Sequence, residues 1–229
     1  MAGSPIAASK LQLALSKLGT KFVETYGQVE APMCITVMPR DQLSSRLESC
    51  GYTGPFVDMK IINSDGLEVK NGEVGEIVCK GSLVMKGYWN NEEATNKTLQ
   101  NGWLHTGDLG WVDDQGYLHI VDRIKDVIIS GGLNIYPREV EEVLNKHKGV
   151  KETCVIGIPD DKWGESVVAY VVPNGTTEVV EEDLIALCKE YLASLKKPKQ
   201  IHFVDQLPKS SYGKILKREL RKQHLEGVQ

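Results

Sequence analysis

Lys214 follows a glycine in PKSSYGKILKREL, in a Ser/Tyr/Gly turn just ahead of an amphipathic helix. A lysine so placed can carry a positive charge into and out of a site where a carboxylate and a phosphate react. A lone Gly-Lys in a polar tail reads equally as a solvated side chain, so the upstream segments decide. In order, those segments are YGQVE from Tyr26, WLHTGDLG around Asp108, DRIKDVIISGGLNIYPREVEEV from Asp122 and GIPDDKWGE from Gly157. Taken singly, each has an ordinary reading. Tyr26 suits a core aromatic at a strand end, TGD suits a turn, and Arg123 suits a surface ion pair of little energetic weight. Gly131 and Gly132, adjacent in an apolar run, suit either a simple β-turn or close approach by a ligand or another backbone.

The elements that must position these residues change character along the chain. Residues 6–18 carry Ile6, Leu11, Leu13, Leu15 and Leu18 among small and polar residues, a helix that Gly19 ends. TKFVETYG reads as a short strand entering a turn. From Gly51 to His119, short alternating runs broken by Asp-Gly, Asn-Gly and Gly-Glu predict small antiparallel β structure. VDRIKD marks the expected border between domains. Beyond it, Pro137 opens a helix whose face carries Val140, Val143, Leu144 and His147. VKETCVIGIP, SVVAYVVP and KQIHFVD read as strands. The stretch 181–195 reads as a helix striped by Leu184, Leu187, Cys188, Tyr191, Leu192 and Leu195, and a last helix is expected over Lys214 to Gln223. The fold expected is α+β: a small antiparallel β subdomain followed by a compact α-β-β-α-β-α lid.

Composition narrows the classes. Hydrophobic content of 41% with 25% charged residues is that of a globular protein, and a net charge of −4 argues against general nucleic-acid binding. Five scattered cysteines without CxxC spacing read as reduced thiols rather than metal ligands or a disulfide frame. No apolar run suits a bilayer and no signal-peptide pattern is present, so a cytoplasmic protein without a transmembrane segment is expected. His105, His119, His147, His202 and His224 show no ligand spacing and read as core or surface residues. No Ser-His-Asp arrangement is evident.

Together the segments resemble the AMP-forming adenylating superfamily of acyl-CoA synthetases, firefly luciferase and peptide-synthetase adenylation domains. The likeness runs from about Ala2 to Leu220. ISGGLNIYPREVEE is more similar to the acyl-CoA ligases than to the peptide-synthetase domains. MAGSPI resembles the segment that follows the family's Ser/Thr/Gly-rich phosphate loop, and no such loop occurs in this sequence. The resemblance thus implies the C-terminal part of such an enzyme. Residues 1–122 would be the end of the AMP-binding domain (a helix-strand remnant over 1–50, then the β subdomain), and 123–229 the mobile C-terminal domain. The strands of the first fifty residues would then lack partners lying upstream.

The resemblance also implies roles. Lys214 would neutralise charge as the substrate carboxylate attacks the α-phosphate. The ring of Tyr26 would stack on adenine beside Gly27, with Gly3, Ser4 and Pro5 against the adenine edge. Glu30 would hold Mg²⁺ as a hard oxygen ligand. Asp108 would accept from both ribose hydroxyls, two oxygens matching a vicinal diol, and Arg123 would donate to the same ribose. Lys125 would be the hinge between two arrangements of the C-terminal domain. Gly131 and Gly132 would face the pantetheine arm of CoA, and Trp163 would pack the C-terminal domain. Val29 stands where the family has a threonine, removing a hydroxyl that could bond the α-phosphate. The implied reaction converts a carboxylic acid and ATP into acyl-adenylate and pyrophosphate, after which CoA displaces AMP. The alternative expectation is a catalytically incomplete chain: a fragment, a split-enzyme half partnered by a separate N-terminal portion, or a nucleotide-binding or interaction module.

Overall fold

The structure is a computed structural model that describes residues 6–227. The chain forms two compact units, Met1–Ile124 and Lys125–Gln229.

In the first unit, helix α1 (Ala8–Leu18) stops at Gly19, whose φ of 71° is a left-handed value glycine adopts without strain. It buries Leu11 against Met38 and Leu43. Strands β1 (Glu24–Gln28), β2 (Ala31–Met38) and β3 (Tyr52–Thr53) form an antiparallel sheet in that order. This corrects the expectation that the first fifty residues hold unpaired strands, because β1 and β2 fold back on each other across the Val29–Glu30 turn. Hydrogen bonds also stitch the segment to the rest of the unit. The backbone of Cys50 and Gly51 exchanges bonds with Leu118 at 3.0 and 2.8 Å, and Ser49 Oγ donates to Leu118 O at 2.9 Å.

A second sheet comprises β4 (Val57–Ile62), β5 (Gly75–Gly81), β6 (Leu99–Gln100), β7 (Trp103–Val112) and β8 (Leu118–Arg123). Its order is β4-β5-β7-β6, with β8 paired to β7, all antiparallel. A helix, α2 (Glu92–Thr98), interrupts the region expected to be wholly β. Its start is locally encoded. Asn91 Oδ1 accepts from Ala94 N at 3.0 Å, and Glu92 and Glu93 place negative charge in the first turn.

The second unit begins in a short 3₁₀ turn, Ile124–Asp126, then the hairpin β9 (Ile128–Ser130) and β10 (Leu133–Ile135). Helix α3 (Pro137–Leu144), strands β11 (Val150–Asp160) and β12 (Gly164–Pro173), helix α4 (Glu181–Tyr191), strand β13 (Gln200–Phe203) and helix α5 (Lys217–Leu225) complete it. The sheet runs β10-β9-β12-β11, with β13 parallel to β12. Both faces of β12 are covered, so its residues form a near-continuous buried run. Val167, Ala169 and Val171 pack with α3 and α4, while Val168, Tyr170 and Val172 pack with Leu207 and Leu220.

Three helix ends differ from expectation. α3 stops at Leu144, leaving His147 in a turn where its Nδ1 accepts from Gly149 N at 3.1 Å. α4 stops at Tyr191 because Leu192 is extended at φ −123°, ψ 150°, and Leu192 reaches the core from beyond the helix. α5 begins at Lys217, after a non-helical Leu216 at φ −96°, ψ 78°, so Lys214 is not helical.

Candidate functional site

The fifteen-position offset from Asp108 to Arg123 is a hairpin register: the two are direct partners across β7 and β8. Gly116 closes the turn at φ 84°, and Asp113 Oδ1 accepts from Gln115 N and Tyr117 N at 2.9 Å each. Burial pushes the Asp113 carboxyl up, but those amides and His119 outweigh it and hold the carboxyl below the usual range. Along β7 the burial alternates, placing Leu104, Thr106, Asp108 and Gly110 on the inner face. Asp108 is only 8% exposed and is held from both sides. Tyr26 Oη donates to Oδ2 at 2.7 Å, and Arg123 Nε donates to Oδ1 at 3.0 Å. Thr106 Oγ1 donates to Ile77 O at 2.6 Å and accepts from Asp108 N at 3.1 Å, fixing the strand there. Burial, with the Asp108 charge second, raises the Tyr26 phenol well above its ordinary range, so it stays a donor.

Tyr26 is thus buried, in a core with Ala31, Ile35 and Ile77. Gly27 lies at the β1 bulge, and a Cβ there would come within 2.5 Å of Met33 N. Glu30 sits at the end of the β1–β2 turn, where Val29 is 90% exposed. Tyr88 Oη donates to Glu30 Oε1 at 2.7 Å, and Met85 N donates to Glu30 O at 2.8 Å. The bond to Glu30, then burial, raises the Tyr88 phenol above its ordinary value.

Glu30 and Arg123 line one cleft of about 420 Å³, together with Tyr88, Glu76, His105 and Gly107. Glu76 bridges the cleft wall. Its Oε2 lies 2.8 Å from His105 Nδ1, and its Oε1 accepts from Gly107 N at 3.1 Å. Sequence reasoning missed Glu76, Tyr88 and His105. The period of two in β7 carried a signal for His105, since it must face away from Thr106 and Asp108. Nothing local marks Glu76 or Tyr88, whose partners lie on distant strands and turns.

Tyr26, Gly27, Glu30, Asp108 and Arg123 therefore gather in the first unit. Ser4 and Pro5, with Gly3, lie outside the described residues. Lys125 is the first residue of the second unit, within the 3₁₀ turn. Gly131 and Gly132, at φ 58° and 80°, form the two-residue turn of the β9–β10 hairpin, a geometry that favours glycine by itself. Gly131 also packs on Trp163. Its N donates to Trp163 O at 2.9 Å, and a Cβ there would meet the indole at 2.9 Å. Lys214 is exposed, and its amide donates to Ser210 Oγ at 3.2 Å. Among the described residues no group of three or more His, Cys, Asp or Glu could hold a metal ion. No helix there is long and apolar enough to cross a membrane. All five cysteines are free thiols.

Two family models match the chain in succession: AMP-binding enzyme over residues 1–89 and AMP-binding enzyme C-terminal domain over residues 139–214. The chain belongs to the adenylate-forming AMP-binding enzymes. Its relatives there include acyl-CoA ligases. It is 44% identical over 220 residues to a feruloyl-CoA synthase of Amycolatopsis, covering 96% of this chain and 45% of that protein. It is 41% identical to the medium/long-chain-fatty-acid–CoA ligase FadD8 of Mycobacterium tuberculosis, covering 98% and 41%. Among solved structures it matches the o-succinylbenzoate CoA synthetase MenE of Bacillus subtilis, in complex with its acyl-adenylate intermediate. That match has 39% identity and a TM-score of 0.88, covering 96% of this chain and 45% of MenE. The amide bond synthetase McbA of Marinactinospora thermotolerans matches at 34% identity and a TM-score of 0.92, covering 97% and 45%. The chain spans about half the length of the relatives it matches.

Proposed function

We propose that this chain is the C-terminal portion of an ATP-dependent, AMP-forming acyl-CoA ligase acting in the cytoplasm. A carboxylic acid and ATP give acyl-adenylate and pyrophosphate, and CoA then displaces AMP. The observation that carries the reading is Asp108, a buried carboxylate braced by a phenol and a guanidinium on paired strands. Rigid placement of this kind suits orientation of a ribose diol. Arg123, half exposed beside Asp108, supplies donors to the same ligand. Tyr26 serves here chiefly by holding Asp108, and its ring offers little free surface for stacking on adenine. Glu30 fits a Mg²⁺ ligand, because it is a hard oxygen donor on an open cleft whose orientation Tyr88 fixes. When bound, Mg²⁺ would offset phosphate charge there. Lys214, at an exposed loop tip, brings the mobile charge. Lys125 serves as the hinge and the Gly131–Gly132 turn as the CoA-facing surface. The lid is the second unit, from Lys125 onward, rather than from Arg123, which belongs to β8.

CoA is favoured as the acceptor because the feruloyl-CoA, fatty-acid and 2-succinylbenzoate relatives are named as CoA synthases or ligases. A second reading, a chain inactive alone and complemented by a separate N-terminal portion, is favoured by the 45% share of the relatives that is covered. One experiment addresses both. Acid-dependent ATP–pyrophosphate exchange is measured for the purified chain, and for the chain joined to the N-terminal portion of a feruloyl-CoA synthase. We expect no exchange from the first, and exchange plus CoA-dependent acyl-CoA formation from the second. Exchange by the chain alone sinks the incompleteness reading, and a folded fusion that binds AMP without exchanging sinks the ligase reading.

A further inference from the structure

Helix α5 docks through little hydrophobic burial. Of its residues only Leu220 is buried, and so short a helix does not persist alone in water. Its inward face carries positions 217, 220, 221 and 224, the i, i+3, i+4, i+7 stripe, and three of the four are polar. Lys217 Nζ lies 3.0 Å from Glu141 Oε1, with the two side chains only 18% and 19% exposed. Glu141 Oε1 also accepts from Val155 N at 2.8 Å, so the carboxylate is fixed to β11. Arg221 reaches the buried Asp126 at 3.7 Å. His224 Nδ1 pairs with Tyr170 Oη at 2.7 Å.

The loop ahead of α5 is closed at its base and open at its tip. Lys209 bridges Ile215, Leu216 N donates to Pro208 O at 2.9 Å, and Ser210 N donates to Lys214 O at 2.8 Å. Lys209 Nζ donates to both Glu152 oxygens at 2.7 and 2.8 Å. The Lys214 ammonium, by contrast, has no partner among the described residues.

We infer that Lys217 is a positioning residue for Lys214: its charge pair with Glu141 sets the register of α5 and so fixes the foot of the loop that presents Lys214. The functional meaning rests on the proposed charge-delivering role of Lys214, while the physical claim stands apart from it. A half-buried pair on a helix with one apolar anchor carries more of the docking than an exposed pair could. The stem of Lys217 also packs, so the informative variant removes charge and keeps the stem.

The test is hydrogen exchange on the full chain for Lys217→Met, Glu141→Gln, Lys217→Arg and Lys214→Ala. In the first two, amides of Ser210, Gly213, Lys214, Leu216 and α5 should exchange about tenfold faster while β11 and β12 keep their protection. Lys217→Arg should restore the slow rates, which loss of mere bulk would not explain, and Lys214→Ala should leave them unchanged. Unchanged loop protection in both charge-removing variants overturns the inference, as does a loss that spreads equally to β11 and β12. In the active fusion, Lys217→Met should lower adenylation and Lys217→Arg recover it. If Lys214→Ala leaves adenylation intact, the catalytic reading of Lys214 fails while the exchange result still decides the role of Lys217.

Discussion

Asp108 and Lys214 are held in opposite ways. Asp108 lies inside paired strands, almost out of solvent, with a hydrogen-bond donor on each carboxylate oxygen. Lys214 stands on an exposed loop whose feet are tied by ion pairs, whose tip is closed only by local bonds to Ser210, and whose ammonium has no partner among the described residues. The contrast matches the tasks proposed for them. A group that fixes a ligand gains from strand rigidity and from a dielectric that strengthens its hydrogen bonds. A group that delivers charge must stay hydrated and mobile until it is used. Substitutions in the first region should therefore register as lost stability, and those at the loop tip as lost chemistry alone.

The sharpest way to break the comparison is Gly27→Ala. Its Cβ would sit 2.5 Å from Met33 N and 2.8 Å from Ala31 O, so backbone must move, and we expect a loss of about 3 kcal/mol in urea unfolding. A loss no larger than that of an ordinary surface substitution would show that the β1 bulge is soft. Tyr26→Phe should cost less, about 1–2 kcal/mol, because Asp108 keeps Arg123 but loses a buried donor. If thermal unfolding of this variant matches that of the parent chain, the phenol is not holding the carboxylate. Lys214→Ala should fall within about 0.5 kcal/mol of the parent, as exposed substitutions usually do.

His224 gives the comparison a pH axis. Burial, and then the neighbouring His202 charge, lower its pKa from 6.5. The fold therefore favours the neutral ring, whose Nδ1 pairs with Tyr170 Oη at 2.7 Å. Its contribution is complete above pH 6.5 and is lost as pH falls from there toward the folded value, because the unfolded chain then binds the extra proton. Denaturation at pH 8 and pH 5.5 should show α5 loosening at the lower pH, and His224→Gln should flatten that dependence. An unchanged slope in the variant would place the titration elsewhere.

Much of this was legible in the sequence, for reasons that differ by element. The continuous apolar runs of β11 and β12 and the Pro137 start of α3 are local signals, legible without knowledge of their partners. The Asp108–Arg123 pair was legible because hairpin register converts sequence spacing into contact. The pairing of β1 with β2 was missed because a family likeness suggested partners elsewhere, whereas a two-residue turn brought the strands together. Leu192 and Leu195 looked helical because apolar spacing does not reveal where the backbone extends. Glu76 and Tyr88 were invisible, since their meaning lies in His105, Gly107 and Glu30, far away in sequence.

The central claim is that Lys214 supplies charge to one chemical step. In the fused enzyme, Lys214→Ala should be assayed separately for ATP–pyrophosphate exchange and for thioester formation from preformed acyl-adenylate. Adenylation should fall by an amount equivalent to about 2.7–4 kcal/mol, the range for losing one oxyanion donor, with thioester formation close to unchanged. Equal losses in the two half-reactions would contradict the account and make Lys214 a structural residue of its loop.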